Sequence, residues 1–265
     1  MHLRTTARDC LYLNWALPLA SAPPLPDPLR YEVHHTEGGD HIFASVLLFR
    51  LEGLRFRDLP FLRVSYPQMN LRLYVLDGDG IQAALFLRTL VPWWVVPFSY
   101  ALGRQPAHSA ALDFPAADEG SDPLAWDWQI RRGRELHLQA RPGDPAMGDG
   151  PSLGSWESTV AYFRRRPRGY TLWENRLRSV QVSHPRVDVC PVAVEFSATG
   201  LLEESLDGVE PGRWHRPHSA WICPEIPFVF QLGQPMLLPL PARRVPATEG
   251  YFQRRGQGRD GGGLC

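Results

Sequence analysis

Between Met69 and Leu76 the chain alternates without a fault: Met69, Leu71, Leu73 and Val75 are apolar, while Asn70, Arg72 and Tyr74 carry polar groups. A period of two is that of a β-strand, whose successive side chains point to opposite faces, so the segment predicts a strand with one apolar and one polar face. Asp77-Gly78-Asp79-Gly80 follows at once. Asp-Gly pairs tolerate the positive φ angles of tight hairpin turns, so Ile81 to Leu90 should return antiparallel, with Arg88 near its far end. The 26 prolines and 23 glycines of the 265 residues point the same way, to many turns and to sheet rather than a helix bundle.

Further strands are predicted at His41 to Phe49, which is rich in β-branched and aromatic residues, and at Tyr170 to Asn175, Leu177 to Ser183 and Pro191 to Phe196. Leu124 to Ile130 and Glu135 to Arg141 form a second hairpin around Arg131-Arg132-Gly133-Arg134, with Trp126, Trp128 and Ile130 on one side. Ser155 is placed to cap a helix running through Arg165, with Trp156, Val160 and Phe163 on one face and Pro167 and Gly169 ending it. Ser21 to Pro28 holds four prolines and reads as an extended connector. The expected fold is therefore mainly β (α+β): an antiparallel sheet, closed or partly open as a β-barrel to hide its edges, with one or two helices. Residues 1–252 should form one domain and 253–265, glycine- and arginine-rich without periodicity, a disordered tail.

Charge excludes some partners. The 28 basic and 28 acidic residues cancel, so no global field draws the protein to nucleic acid or an anionic membrane. Four scattered cysteines without a CxxC pair suit a reducing, cytoplasmic setting. The first 22 residues imitate a secretory leader, but Asp9, Asn14 and Pro18 interrupt the apolar run, and an uncleaved start is expected. No other stretch approaches a membrane span. His215, His218, Cys223 and Glu225 come nearest to a metal pattern, yet they lie in a proline-rich stretch without a second cysteine pair, so no metal is expected. No cofactor is expected either: there is no P-loop, no G-x-G-x-x-G after a strand, and neither a G-x-S-x-G elbow nor H-E-x-x-H.

Three blocks carry a family likeness: Leu13-Asn14-Trp15-Ala16-Leu17-Pro18, Tyr66-Pro67-Gln68-Met69-Asn70-Leu71-Arg72-Leu73-Tyr74-Val75, and Pro97-Phe98-Ser99-Tyr100-Ala101. Together with the segment from Trp156 through His184-Pro185, they resemble the YqjF-like family of domains of unknown function, related in fold to acetoacetate decarboxylase. The likeness spans roughly Leu11 to Phe230 and implies a curved β-barrel or cone around a ligand cavity. In the decarboxylase a Pro-Lys-Lys segment supplies the catalytic amine. The matching segment here is Pro97-Phe98-Ser99, and the chain contains no lysine at all. Arginine cannot replace that amine because it stays protonated below about pH 12, which leaves the N-terminal amine as the only primary amine. The family pattern also carries glutamate where this chain has Gln68, and an amide there cannot transfer protons.

Arg72 stands out among candidate site residues. On the polar face of its strand it sets a bidentate donor where a barrel interior would lie, suited to a carboxylate or another oxyanion. The plainer fate of a buried arginine is pairing with an internal acid such as Glu174 or Glu195, which would only stabilise the fold. Gln68, Asn70 and Tyr74 extend the same face and could orient a ligand, although hydrogen bonding to neighbouring strands is commoner for such groups. The run Val91-Pro92-Trp93-Trp94-Val95-Val96-Pro97-Phe98 should be a buried lid over the barrel, since exposing it would be costly.

The leading reading is a small-molecule-binding protein for an amphipathic carboxylate or carbonyl compound, with Arg72, Asn70, Tyr74 and Gln68 on the head group and Trp93, Trp94 and Phe98 on the apolar body. A second reading is an enzyme using general acid-base chemistry through Glu174, Glu195 or a histidine among His34, His35, His41, His108, His137 and His184. A third is a scaffold or interaction module with a filled barrel, which the run 91–98 would support if it were exposed. A hollow, arginine-floored cavity with or without an ionisable neighbour separates them.

Overall fold

The computed structural model describes residues 2–56, 59–103, 107–114, 125–173 and 176–231. β1 (His2–Pro18) opens the chain, so the apolar run that imitates a leader is a core strand. Two short strands, β2 (Arg30–Tyr31) and β3 (His34–Thr36), precede the long hairpin of β4 (Gly39–Phe56) and β5 (Leu59–Leu76). β6 (Gln82–Val91) returns from the Asp77–Gly80 turn, where Gly80 takes φ 76° and its N–H donates to the Asp77 carbonyl at 2.9 Å. One helical turn, α1 (Val96–Phe98), leads to β7 (Ala107–Ser109) and β8 (Ala111–Asp113).

The second hairpin joins β9 (Trp126–Arg132) to β10 (Arg134–Pro142). Its turn is tighter than the sequence suggests: Arg132 already pairs with Arg134, and Gly133 alone makes the reversal at φ 73°. α2 (Trp156–Arg164) starts where Ser155 Oγ accepts from the Ser158 N–H, as a helix cap requires. β11 (Arg168–Trp173), β12 (Arg176–Ser183), β13 (Cys190–Ala198), the short α3 (Gly200–Glu203) and β14 (Ser219–Gln231) complete the order. The tail 253–265 lies outside the described residues, and among those described no helix is long and apolar enough to cross a membrane.

The strands join in one mixed sheet in which β1, β4, β5, β6, β11, β12 and β14 follow one another, and β14 pairs back to β1. This ring of seven is only partly closed, since β12 and β14 share three register pairs. The ring departs from a purely antiparallel arrangement, because β6 pairs in parallel with β11 and with β7. The parallel step follows from the chain's route: α2 and the second hairpin intervene between β6 and β11, and a long crossover can deliver a strand in either sense.

Both faces of the ring are buried. Leu11, Leu13, Trp15, Ile42, Ala44, Val46, Met69, Leu71, Leu73 and Val75 pack outward against Trp128, Ile130, Leu136 and Leu138 of the second hairpin and against Leu201 and Leu202 of α3. The opposite residues of the same strands, among them Tyr12, Phe43, Leu47 and Tyr74, meet Val160 and Phe163 of α2. A slip of one residue would exchange the two sets, so register is strongly specified.

Asp77 ties the β5–β6 turn to β11. Its carboxylate accepts from Arg168 at 2.6 Å, from the Tyr170 hydroxyl at 3.1 Å and from the N–H groups of Asp79 and Ile81 at 2.9 Å each. Burial alone would raise its pKa, but these donors outweigh it and hold the group below the ordinary carboxylate value. A depressed folded pKa stabilises the native state above the unfolded value of about 3.9 and loses that contribution as pH falls through the folded one. Asp77→Asn should therefore cost about 2–3 kcal/mol at pH 7 in denaturant unfolding and flatten the acid limb of stability against pH below about 4. An unchanged acid limb would show that other carboxylates control acid unfolding.

Candidate functional site

A cavity of about 630 Å³ opens inside the ring, and all seven ring strands line it. β1 contributes Leu3 and Tyr12; β4 Leu47, Phe49, Leu51 and Leu54; β5 Val64, Tyr66, Gln68, Asn70 and Arg72; and β6 Ala84, Phe86 and Thr89. β11, β12 and β14 close it with Gly169, Val180, Val182, His184, Phe228 and Phe230. Alternation alone would not keep these residues on one face. In β4 the lining passes from Leu51 to Leu54, and in β6 from Phe86 to Thr89, across register shifts that insert an extra residue and re-aim the strand. Gly53 supplies the left-handed φ of 58° at the first of these bulges.

Gly169 is required for a different reason. A Cβ there would stand 2.6 Å from Phe86 Cε2 and 3.0 Å from Val180 Cγ1, so the Phe86 ring can lie on the cavity wall only because the backbone under it is bare.

The lining is apolar apart from a few groups, and its charges are of one sign. Arg55, Arg72, Arg164, Arg166 and Arg168 reach the cavity, and among the described residues no aspartate or glutamate does. Two of these are neutralised from behind. Arg166 pairs with Glu32 at 3.0 Å, its guanidinium 4.3 Å and 4.6 Å from the Tyr162 and Tyr74 ring centroids, and Arg168 pairs with Asp77 and Asp79. Arg72 and Arg164 have no carboxylate partner among the described residues.

Arg72, buried to 7% exposure, donates through Nη2 to the Tyr74 hydroxyl at 2.9 Å and to the Phe163 carbonyl at 3.2 Å. Arg164 donates to the carbonyls of Val187 at 2.7 Å and Pro185 at 3.4 Å. The Nε of each is buried without a hydrogen-bond partner. Among the described residues Arg72 pairs with no acid: Glu195 is exposed on β13, and Glu174 lies outside the described residues. A buried and a half-buried cation with unused Nε donors, facing one apolar cavity, have the chemistry to hold an oxyanion.

His184, the residue that follows β12, shares the Pro185 carbonyl with Arg164: its Nδ1 lies 3.0 Å from that oxygen. A carbonyl can only accept, so Nδ1 carries the proton and Nε2 is left with the lone pair. Burial lowers the His184 pKa, the bond to Pro185 opposes this, and the charges of Arg164 and Arg72 add to the lowering. Tyr12, over whose ring the Arg72 guanidinium sits at 5.5 Å, stays protonated because burial pushes its pKa up.

Of the residues singled out from sequence, the cavity brings together Arg72, Asn70, Gln68, Trp94 and Phe98. Gln68 Nε2 donates to Asn70 Oδ1 at 2.8 Å, so the two amides act as one polar edge. Tyr74 is fully buried and does not line the cavity; it supports Arg72 from beneath. Trp93 is 76% exposed and lines a separate depression with Gln129 and Arg131. The run 91–98 is thus not the buried lid expected: Val91 and Val95 are buried, but Trp93, Trp94 and Phe98 are exposed to 76, 36 and 56%. The prolines break the run into a 3-10 turn and a helical turn, so its side chains splay to several sides instead of sharing one face.

Arg164 was visible in sequence only as part of an arginine-rich turn, whereas His184, one of the six histidines considered as a base, does line the cavity. The metal-like set is dispersed: His215 meets Thr199, His218 the Pro151 carbonyl, Cys223 the Asp188 carbonyl and Glu225 Arg8. Another cavity of about 670 Å³, beside Pro18, Pro23, Pro24 and Leu206, has Asp207 as its one ionisable side chain.

Residues 4–227 match the sequence profile of domain of unknown function 2071, described as an uncharacterized conserved protein. No curated protein matches the sequence. Among solved structures, the enduracididine biosynthesis enzyme MppR complexed with pyruvate aligns at 12% identity over 89% of this chain and 90% of that one, with a TM-score of 0.59. An acetoacetate decarboxylase-like enzyme from Sphingomonas wittichii RW1 aligns at 16% identity over 89% and 92%, with a TM-score of 0.55. At such identities the likeness establishes the fold: it is that of acetoacetate decarboxylase-like enzymes.

A buried cation without an acid is a stability cost kept for another purpose, and replacing it by an apolar residue of similar volume is often neutral or stabilising. Arg72→Met should leave the free protein unchanged or more stable by up to about 2 kcal/mol in denaturant unfolding. A loss above about 3 kcal/mol would mark Arg72 as a structural residue.

Proposed function

The chain belongs to this family of uncharacterized conserved proteins, and we propose that its cavity binds an amphipathic carboxylate, with the head group on Arg72 and Arg164 and the apolar body along Phe86, Val180, Val182, Phe228 and Phe230. The observation that carries this reading is the pair of guanidiniums, Arg72 buried and Arg164 half-buried, each with a buried and unused Nε donor, in a cavity to which no described aspartate or glutamate contributes. A carboxylate supplies both the missing charge and the missing acceptors. The volume, about 630 Å³, lies within the range of small-molecule sites of roughly 300–1,000 Å³. Pyruvate, the carboxylate bound to the fold neighbour MppR, adds support for this class of head group.

Gln68 and Asn70 complete the polar end in this reading, and Trp94 and Phe98 contact the ligand near the chain segment that follows β6. Catalysis through a lysine Schiff base is excluded, since the chain has no lysine. A filled-barrel scaffold fits less well, because the ring encloses a cavity.

One observation favours a second reading, an acid-base enzyme. His184 Nε2 is an unprotonated base in the same cavity as the two guanidiniums, and a carbonyl compound held by them could lose a proton to it.

Straight-chain carboxylates of four to twelve carbons should raise the thermal midpoint, and neutral amides of the same length should not. At a ligand concentration about 100 times Kd the gain is about 2.7 kcal/mol. Arg72→Gln and Arg164→Gln, still folded, should each abolish it. Equal shifts for acids and amides would refute the carboxylate reading. The enzyme reading is checked by proton NMR of 2-keto acids in D2O: exchange at the carbon next to the carbonyl, lost in His184→Asn with binding retained, supports it. Exchange at the buffer rate removes it.

A further inference from the structure

One hydrogen-bonded row of buried side chains crosses four strands behind the cavity. Ser219 of β14 is the register partner of Asn14 of β1, Asn14 of Ser45 of β4, and Ser45 of Arg72 of β5. Arg72 Nη2 lies 2.9 Å from the Tyr74 hydroxyl, which lies 2.6 Å from Ser45 Oγ. Ser45 Oγ bonds Asn14 Oδ1, Asn14 Nδ2 lies 3.1 Å from Ser219 Oγ, and Ser219 Oγ lies 3.4 Å from His218 Nδ1. His218 Nε2 closes the row on the Pro151 carbonyl at 3.1 Å. Asn14 and Ser45 are fully buried, and Ser219 and His218 nearly so.

Its two ends fix the direction of every proton in the row. Arginine can only donate and a carbonyl can only accept. His218 therefore donates from Nε2 and accepts at Nδ1, Ser219 donates to it and accepts from Asn14, and Ser45 donates to Asn14 Oδ1. The Tyr74 hydroxyl must then donate to Ser45, which turns its oxygen lone pairs to Arg72. A second acceptor, the Phe163 carbonyl at 3.3 Å, competes for that same proton and is also the other acceptor of Arg72. With the row intact, Arg72 keeps both acceptors. With it broken, the Tyr74 proton turns to Phe163, whose carbonyl then accepts from both groups, and the hydroxyl lone pairs that hold Arg72 turn with it.

We propose that Asn14 and Ser45 are positioning residues: through Tyr74 they fix the orientation of the Arg72 guanidinium and so set the preference of the cavity for carboxylates over neutral ligands. Neither lines the cavity. The proposal rests on the carboxylate-binding reading, and such chains strengthen one another in a dry interior, so one missing link is felt at the far end.

Ser45→Ala removes a single hydroxyl and is the primary variant; Asn14→Leu, which also loses the bonds to Ser219, is the second. Affinities for octanoate and octanamide are measured by calorimetry in wild type, each variant and each variant combined with Arg72→Gln. Ser45→Ala should lower the octanoate-over-octanamide ratio about tenfold, as loss of one well-made hydrogen bond would, with octanamide affinity unchanged. In the Arg72→Gln background it should change nothing further.

A structural role for Ser45 would weaken both ligands alike, and an unchanged ratio or a loss that persists without Arg72 overturns the proposal. The Arg72 Nε–H order parameter from 15N relaxation of the ligand-free protein reads the orientation directly. High order in wild type and low order in Ser45→Ala uphold the positioning role even if octanoate fails to bind, an outcome that sinks only the carboxylate reading. Equal order in the two proteins overturns it whatever binds.

Discussion

From Met69 to Val75 strand β5 has no solvent face, and the rest of the molecule is arranged around that fact. Its odd-numbered residues from Met69 to Val75 enter the apolar layer under the second hairpin, and its even-numbered residues turn into the ring. A strand buried on both sides usually reads as continuous hydrophobic sequence. This one instead carries amides, a guanidinium and a phenol on its inner face, and burying them requires a partner for each polar atom. The ring of seven strands, α2 across one part of its interior and the polar row through Asn14 and Ser45 supply partners for the Tyr74 hydroxyl and for Arg72 Nη2, and leave the buried Nε of Arg72 without one.

The exception is informative because its cost is large. A desolvated guanidinium without a carboxylate loses hydration and gains only neutral acceptors and ring faces, here the rings of Tyr12 and Tyr74. Arg164 repeats the arrangement from the end of α2, held by two carbonyls. Arg166 and Arg168 differ: each has its acid and is held within the architecture of the ring. Sorting arginines by whether an acid stands behind them separates the two roles more cleanly than burial does.

The fold and the cavity differ in how far they could be read from the residues. The alternation of Met69–Leu76, the Asp-Gly turn and the Ser155 cap are local signals, set by neighbours in sequence, and they reappear as β5, the β5–β6 hairpin and α2. Arg72, Asn70 and Gln68 were legible as cavity residues because strand parity gives direction. Tyr74 obeys the same parity but lies one layer deeper, under Arg72 and against Phe163, and no local pattern distinguishes a residue lining a cavity from one filling the space behind it. The aromatic run 91–98 was misread for a related reason: its hydrophobicity argued for burial, whereas two prolines and short turns fan its side chains apart.

By itself the sequence determined that the chain is built from paired strands, that its cavity-facing cations are arginines, and that no lysine can act as a nucleophile. These properties belong to single residues or to near neighbours. Tertiary structure alone decided that β14 closes back on β1, that Arg164 and His184 join Arg72 from the other side of the ring, and that Asn14, Ser45 and Ser219 stand in one row with it. Register between strands distant in sequence sets each of these juxtapositions, and register is fixed by the packing of two buried faces at once, a constraint that no short stretch of sequence contains.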